Sequence, residues 1–427
     1  MSQRFAALIG LVVLGAALLA VIALSTPWRV LSGGPAPTPD VMQDFSAEQI
    51  KREVAYHDAL RPPALVALAV GLVASGVLGL TSMGGRIVAA AGRLGGGRWP
   101  LTIVFGVVAL TVLLRLVRLP LALRAESVRR RYGLSTQDWG SWSLDVAKSV
   151  GLSAAVLSVA LVTLYFVVRR SPGHWWAWAG IAGAALVVVA SFGYPLVVEP
   201  LFNTFSSLPP GELRSSLIAL AERDGVAVDD VLVADASRRT TALNAYVSGL
   251  GATRRIVVYD TLVERATPDE VRLVVAHELG HVVDNDVRDG TLVGALGVAA
   301  AMPLLYLLLT WAPILRRSGV TSLADPRSLA LVMFVVSVLT LMTGPVQSLV
   351  SRRVEARADV HSLDLTRDPG TFVSTERRLA TTNLSDLEPN RLLYWFFATH
   401  PSAPERIALA RAWARREDVA VPVTLEP

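Results

Sequence analysis

Seven long apolar runs constrain this chain more than any other feature of its sequence. Each is close to the roughly 20 residues that a helix needs to cross the hydrocarbon of a bilayer. A soluble domain carries roughly 25% charged residues. Here only 18% of the residues are charged and 52% are hydrophobic. The sequence therefore predicts seven membrane-spanning helices, at residues 5–25, 64–83, 101–117, 150–168, 176–198, 292–311 and 329–349.

The first apolar run follows Arg4 and so has the charge pattern of a secretory signal peptide. It is long for the apolar part of a signal peptide, and no convincing cleavage site precedes Trp28. We therefore expect the run to be a retained helix.

The chain carries a formal net charge of +5. Many of its arginines flank the apolar runs, which is how membrane proteins distribute positive charge. This pattern favours a lipid bilayer as the partner and argues against nucleic acid. The chain has no cysteine, which excludes disulfides and thiolate ligands for a metal ion.

Four regions follow from the apolar runs: a membrane region with five helices, a polar region, a pair of membrane helices and a second polar region. Their predicted limits are residues 1–198, 199–290, 291–350 and 351–427. Because two helices separate the polar regions, both regions lie on the same side of the membrane. The loops on that side carry a modest excess of arginine and lysine, which indicates the cytoplasmic side of the cell membrane.

The first polar region has the pattern of a small α+β unit. Residues 211–224 have helical periodicity, and short β-rich runs predict strands at 230–234, 243–248 and 255–260. The predicted fold is therefore mainly α, with seven transmembrane helices and an inserted α+β region that carries a small β-sheet.

A capped helix at the end of this region carries the sequence HELGH. Thr267 suits the N-cap, and Glu270 completes a capping box with it. His277 and His281 lie one turn apart on one helix face, so both imidazoles can bind one zinc ion. Glu278 is the next residue along, where it can act as general base toward a water. A chance match is rare in a chain with six histidines, so the motif predicts a zinc hydrolase.

A catalytic zinc site needs a third protein ligand. If the seventh helix continues out of the membrane, Glu355 and Asp359 share one of its faces. Glu355 is then a candidate ligand, and Asp359 a candidate acceptor for a ligand histidine. The same spacing also fits a solvated helix with ordinary ion pairs, and spacing alone does not decide between the two.

Motifs along nearly the whole chain resemble those of the type I CAAX prenyl proteases, which are membrane-embedded zinc peptidases of the gluzincin kind. They include HELGH, the Glu355–Asp359 segment, and the segments 131–135, 199–203, 244–246, 255–262 and 400–407. The resemblance implies that the inserted α+β region is a zincin-like catalytic region in a protein with seven transmembrane helices. It also implies one zinc ion per chain, Glu355 as third ligand, and hydrolysis of a peptide or protein substrate.

The resemblance also implies roles for residues outside HELGH. Asn244 and Ala245 would lie on an edge strand above the zinc and pair with the substrate backbone. His400 would donate a hydrogen bond in the transition state, and Arg406 would hold the closing segment. From the residues alone, the preferred interpretations are a turn residue for Asn244 and a surface-loop histidine for His400.

The resemblance also implies that the seven membrane helices enclose a large water-filled chamber, which the zinc site faces. Arg115 and Arg118 either line such a chamber here or extend from a helix end to the membrane surface.

One position departs from the family pattern. Ala242 stands where eukaryotic members have histidine, so the resemblance is carried to the fold and the hydrolysis but not to a prenylated substrate. A membrane-protein quality-control protease is an alternative of the same chemistry. A seven-helix transporter or receptor with a non-catalytic zinc site is an alternative of a different class, but it leaves HELGH in its capped helix unexplained.

Overall fold

The computed structural model describes residues 2–31, 38–249 and 251–422. Within those ranges, seventeen α-helices and four strands are numbered in chain order. Seven of these helices are long and apolar enough to span a bilayer. They are α1 (Gln3–Ser25), α3 (Ala47–Leu80), α5 (Trp99–Arg131), α6 (Trp139–Arg170), α7 (Trp175–Val197), α12 (Asp286–Leu309) and α14 (Leu329–Thr366).

Four of the spanning helices, α3, α5, α6 and α14, are much longer than the apolar runs that predict them. The apolar run in α14 ends near residue 349, but the helix continues to Thr366 and has 38 residues. At 1.5 Å per residue it is about 57 Å long, nearly twice the thickness of the hydrocarbon core. Its polar C-terminal half therefore projects from the membrane and carries Glu355 and Asp359 out of the apolar layer.

The other ten helices are short to medium in length. They are α2 (Val41–Asp44), α4 (Ser82–Gly92), α8 (Glu199–Phe202), α9 (Glu212–Arg223), α10 (Asp260–Arg265), α11 (Pro268–Val283), α13 (Ala312–Arg317), α15 (Pro369–Asn383), α16 (Arg391–Phe397) and α17 (Ala403–Arg416). Single 3-10 turns lie at Arg93–Gly95, Ala236–Arg238, Gly251–Thr253 and Pro326–Ser328.

The four strands form one mixed sheet in the order β1-β2-β4-β3. They are β1 (Phe205–Ser207), β2 (Asp230–Ala234), β3 (Ala245–Ser248) and β4 (Arg255–Tyr259). β2 and β4 run parallel, while β1 and β3 are antiparallel edge strands. The sequence predicts β2 and β4 well, predicts β3 two residues too long, and misses β1, whose three residues are too few to have a period.

Two main hydrophobic cores hold the molecule together. One joins the membrane helices and includes Trp175, Tyr165 and Leu305. The other packs α9 and α11 against the sheet, with Leu217, Ile256 and Leu279 fully buried. A smaller cluster around Phe372 and Trp413 packs α15 and α17 against α11 and α14. The candidate site lies between these last two cores.

Candidate metal centre and active site

Helix α11 carries HELGH and is fixed by a cap at its N-terminus and by close packing against α14. The hydroxyl of its N-cap Thr267 accepts a hydrogen bond from the N–H of Glu270, and the carboxylate of Glu270 accepts one from the N–H of Thr267. On α11, Gly280 faces His361 of α14, and a Cβ at Gly280 would come within 3.1 Å of the His361 side chain. Glycine at this position therefore allows α11 and α14 to approach closely enough for their ligands to meet.

Three side chains from these two helices converge on one point. Nε2 of His277 lies 3.3 Å from Nε2 of His281 and 3.2 Å from a carboxylate oxygen of Glu355. The other oxygen of Glu355 lies 3.9 Å from Nε2 of His281. One donor atom from each residue thus lies within 4.8 Å of the others. The structure brings together the residues that the sequence suggested as ligands.

This triangle fits a tetrahedral zinc ion. With zinc–ligand bonds near 2.05 Å, donor atoms at tetrahedral angles are separated by about 3.3 Å. Nε2 of His277 lies at close to that separation from Nε2 of His281 and from one oxygen of Glu355. The donors are the nitrogen and oxygen atoms that zinc accepts in catalytic sites. Three protein ligands leave the fourth position for water.

Carboxylates fix the orientation of both histidine rings. Nδ1 of His277 lies 2.9 Å from Asp359, and Nδ1 of His281 lies 2.8 Å from Asp286. An ionised carboxylate only accepts hydrogen bonds, so each Nδ1 carries the proton and each Nε2 keeps its lone pair for a metal ion. The sequence predicts the Asp359 contact but misses Asp286.

The electrostatics around His277 favour a cation. Burial lowers the pKa of this histidine, but the carboxylates of Asp359 and Glu355 outweigh that effect and raise its pKa to about 10. The carboxylates that stabilise a proton at Nε2 also stabilise a metal ion there.

Asp359 is fully buried and is held by Arg406 of α17. Nε of Arg406 donates to Asp359 at 2.9 Å, and another guanidinium nitrogen lies 2.9 Å from Glu376 of α15. Arg406 therefore joins two buried carboxylates behind the metal centre. Burial is the main cause that raises the pKa of Glu376 to about 7.

Nothing in the sequence singles out Asp286, Glu376 or Arg357. Arg357 forms ion pairs with Asp284 and Asp286, so it extends the charge network from α14 to the turn after α11. The positions of Asp286 and Glu376 depend on how α12 and α15 pack, which periodicity does not reveal. Charged residues near a predicted metal helix were the available signal, but several such residues exist and spacing does not rank them.

A cavity of about 880 Å³ opens at His277, His281 and Glu355 and is here called the catalytic cavity. Glu278 lines it, and burial raises the pKa of this carboxyl, against the opposing effect of His277 and His281. His400 lines it too, with Nε2 3.4 Å from an oxygen of Glu355. The cavity thus holds a carboxylate and an exposed imidazole beside the three ligands.

The edge strand β3 forms another wall of the catalytic cavity. Asn244 directly precedes β3, and its C=O accepts a hydrogen bond from the N–H of Tyr259 at 3.0 Å. Neighbouring residues in a strand direct their backbone groups to opposite edges, so the N–H and C=O of Ala245 point away from β4. The side chain of Asn244 is exposed in the cavity.

Arg115 and Arg118 do not lie in the catalytic cavity. They line a separate cavity between membrane helices α5, α6 and α14. This cavity is not the chamber faced by the zinc site that the resemblance implies, because His277, His281 and Glu355 do not line it.

Two family models match the chain over most of its length. The model of peptidase family M48 matches residues 207–414, and the model of the CAAX prenyl protease N-terminal region, with five membrane helices, matches residues 29–204. The resemblance found in the motifs is thereby confirmed.

Individual relatives agree with the family models. An uncharacterized metalloprotease of Bacillus subtilis, YhfN, is 33% identical over 304 residues, which are 70% of this chain and 71% of that protein. The CAAX prenyl protease 1 of Saccharomyces cerevisiae is 33% identical over 180 residues, 42% of this chain and 40% of the yeast protein.

A solved structure shares the fold. The crystal structure of S. mikatae Ste24p superposes with a TM-score of 0.78 over 96% of this chain and 99% of that chain, at 22% identity. At that identity the likeness concerns the fold alone. The predicted fold, seven membrane helices with an inserted α+β catalytic region, is confirmed.

Proposed function

Because this chain belongs to peptidase family M48 and is a multi-pass membrane metalloprotease, we propose that it is a zinc endopeptidase. His277, His281 and Glu355 hold the zinc ion, and Glu278 is the general base. The observation that carries the proposal is the convergence of three donor atoms within 4.8 Å, with both ligand rings oriented by carboxylates.

The chemistry divides between the metal and the protein. When bound, zinc supplies a Lewis acid that lowers the pKa of a water molecule and polarises the peptide carbonyl. Glu278 takes a proton from the attacking water as its oxygen bonds to the carbonyl carbon. As the C–N bond breaks, Glu278 returns that proton to the leaving nitrogen, so that the carboxylate is regenerated.

Other residues align the substrate and stabilise charge. The outward backbone groups of Ala245 pair with an extended substrate, and the amide of Asn244 holds its backbone next to the scissile bond. Nε2 of His400 donates a hydrogen bond to the oxygen that becomes negative. Asp359 and Asp286 keep the ligand rings in place, while Arg406 neutralises Asp359.

Metal analysis and hydrolysis test the proposal together. We expect the detergent-purified protein to contain one zinc ion per chain and to cleave a quenched fluorescent peptide internally. A chelator should abolish cleavage, and added zinc should restore it. A transporter or receptor with a structural zinc site would bind the metal without cleaving any peptide, and that result would overturn the proposal.

We further propose that both polar regions face the cytoplasm in the cell membrane. The support is the arginine distribution and the ion pair between Arg411 of α17 and Asp44, which lies between the first two spanning helices. Because the chain has no cysteine, single cysteines report sidedness cleanly. In intact cells an impermeant thiol reagent should label Ser322→Cys, in the loop before α14, and spare Glu212→Cys. The reverse pattern would contradict this orientation.

A further inference from the structure

Two carboxylates lie in the short turn that follows the HELGH helix. Only Asp284 and Asn285 separate α11 from α12, and Asp286 is the first residue of α12. Arg357 of α14 reaches this turn and pairs with both acids. Its Nε lies 2.8 Å from Asp284, and a terminal guanidinium nitrogen contacts Asp286. One arginine thus joins the end of the motif helix to the helix that carries Glu355.

The carboxylate of Asp286 is held at both of its oxygens. Oδ2 accepts the hydrogen bond from Nδ1 of His281 at 2.8 Å, and Oδ1 faces the guanidinium of Arg357. Contacts at both oxygens fix the plane of the carboxylate and so the direction from which it meets the imidazole. The side chains of Asp286 and Arg357 are only 14% and 24% exposed, so water and salt screen this pair less than a pair at the surface.

Helix α14 contacts all three candidate ligands of the metal ion. It supplies Glu355 itself, and one turn later it supplies Asp359, which lies 2.9 Å from Nδ1 of His277. Arg357 lies between these two acids in sequence and points to the other side of the helix, because two residues turn an α-helix by about 200°. From there it reaches His281 through the acid in the turn.

The two histidines are therefore supported in the same way. Behind His277, Asp359 receives a hydrogen bond from Arg406 of α17. Behind His281, the acid of the turn is paired with Arg357 of α14. Each ring rests on a carboxylate and each carboxylate on an arginine, although the two arginines come from different helices.

On these contacts we propose that Arg357 is a positioning residue for the metal centre: it fixes Asp286, and Asp286 fixes the ring of His281. The inference rests on the proposed zinc peptidase function and deepens it. Arg357 touches neither the metal ligands nor the substrate, so it acts only through the acid that it holds.

Charge and position have opposite effects on zinc binding at this residue. The positive charge of Arg357 repels a metal cation, so a purely electrostatic role predicts that its removal raises the affinity for zinc. A positioning role predicts the reverse, because an unfixed carboxylate no longer orients the ring of His281. Loss of such an outer contact commonly lowers metal affinity about 10–100-fold. The sign of the change therefore separates the two roles.

The test measures zinc affinity by competition with a chromophoric chelator in detergent-purified protein. Arg357→Gln should lower the affinity about 10-fold or more. Arg357→Lys keeps the charge but lacks the guanidinium fork that spans two acids, so its affinity should fall between those of the wild type and Arg357→Gln. The matched control is Arg353→Gln. Arg353 is exposed on the same helix and is also two residues from Glu355, so the control should bind zinc as the wild type does.

A double-mutant cycle tests whether Arg357 acts through Asp286. In an Asp286→Asn background, Arg357→Gln should cause little further loss of zinc affinity, because the contact that it supports is already weakened. In an Asp284→Asn background the same substitution should keep its full effect. Thermal unfolding confirms that each variant is folded, and if Arg357→Gln is not, Arg357→Lys takes its place in the cycle.

Three results would overturn the inference: unchanged or higher zinc affinity in the folded Arg357 variant, an equal loss in Arg353→Gln, or a full further loss in the Asp286→Asn background. Failure of the proposed function has a different signature, since the wild type would then bind no zinc or cleave no peptide. Zinc binding by the wild type, with cleavage that Glu278→Gln lacks, would uphold the peptidase function whatever the Arg357 variants show.

Discussion

Asp286 accepts a hydrogen bond from Nδ1 of His281 at 2.8 Å, and this contact joins the candidate metal centre to a membrane helix. His281 ends the HELGH motif of α11, whereas Asp286 is the first residue of α12. Asn285 between the helices adopts a left-handed conformation with φ of 59°, which asparagine tolerates better than most residues. The turn brings Asp286 back to the ring of the preceding helix.

Asp286→Asn should weaken metal binding. The substitution keeps the size of the side chain but removes the charge that makes His281 a stronger ligand, so we expect zinc affinity to fall about 10–100-fold. Competition with a chromophoric chelator measures this. Asp289→Asn, in the same turn of α12 and paired with the exposed Arg288, should leave the affinity unchanged. Equal affinities for both variants would show that Asp286 does not support the ligand.

Arg406→Ala should destabilise the catalytic region. It leaves Asp359 and Glu376, both buried, without their cationic partner. Removal of one partner from a buried ion pair costs about 3–5 kcal/mol. Thermal unfolding in detergent should reveal the loss, and Arg415→Ala, exposed on the same helix, serves as the control. If both variants unfold at the wild-type temperature, Arg406 does not neutralise these groups.

The pKa of Glu376 predicts a pH-dependent difference between the wild type and Glu376→Gln. The pKa is about 7 in the folded protein and 4.5 for the free group. As pH rises between these values, the unfolded chain releases a proton that the folded chain retains, so the stability of the wild type falls. Glutamine cannot titrate. The wild type should therefore lose stability relative to Glu376→Gln from pH 4.5 to pH 7, as unfolding curves at several pH values would measure. Parallel curves would contradict the prediction.

The sequence predicts most of this site because its chemistry depends on local spacing. His277, Glu278 and His281 belong to one helix, and the capping box at Thr267 locates that helix within a residue. Local spacing does not suffice to predict Glu355 as a ligand, because its partners His277 and His281 are about 75 residues away in the chain. Only the resemblance distinguishes it from a solvated acidic residue. The position of Asp286 depends on the turn after α11, and that of Glu376 on the packing of α15. Neither the turn nor the packing can be predicted from periodicity in the sequence.

Asn244→Ala should lower kcat/KM by about 10–100-fold without loss of zinc. In the described part of the chain the side-chain amide of Asn244 has no hydrogen-bond partner. This exposed side chain lines the catalytic cavity. We therefore expect substrate alignment, and not the fold, to depend on this side chain. Steady-state kinetics on a peptide substrate, together with metal analysis, separate these effects. Wild-type kinetics in a folded, metallated variant would rule out a role for Asn244 in strand addition.

The most direct test of the account is zinc content and peptide hydrolysis measured on the same preparation of Glu278→Gln. The variant removes the base and spares His277, His281 and Glu355. It should retain about one zinc ion per chain and lose activity by on the order of 10²–10⁴-fold, whereas His281→Ala should lose both metal and activity. Near-normal turnover by Glu278→Gln, with zinc bound, would contradict the assignment of Glu278 as the general base of a zinc peptidase.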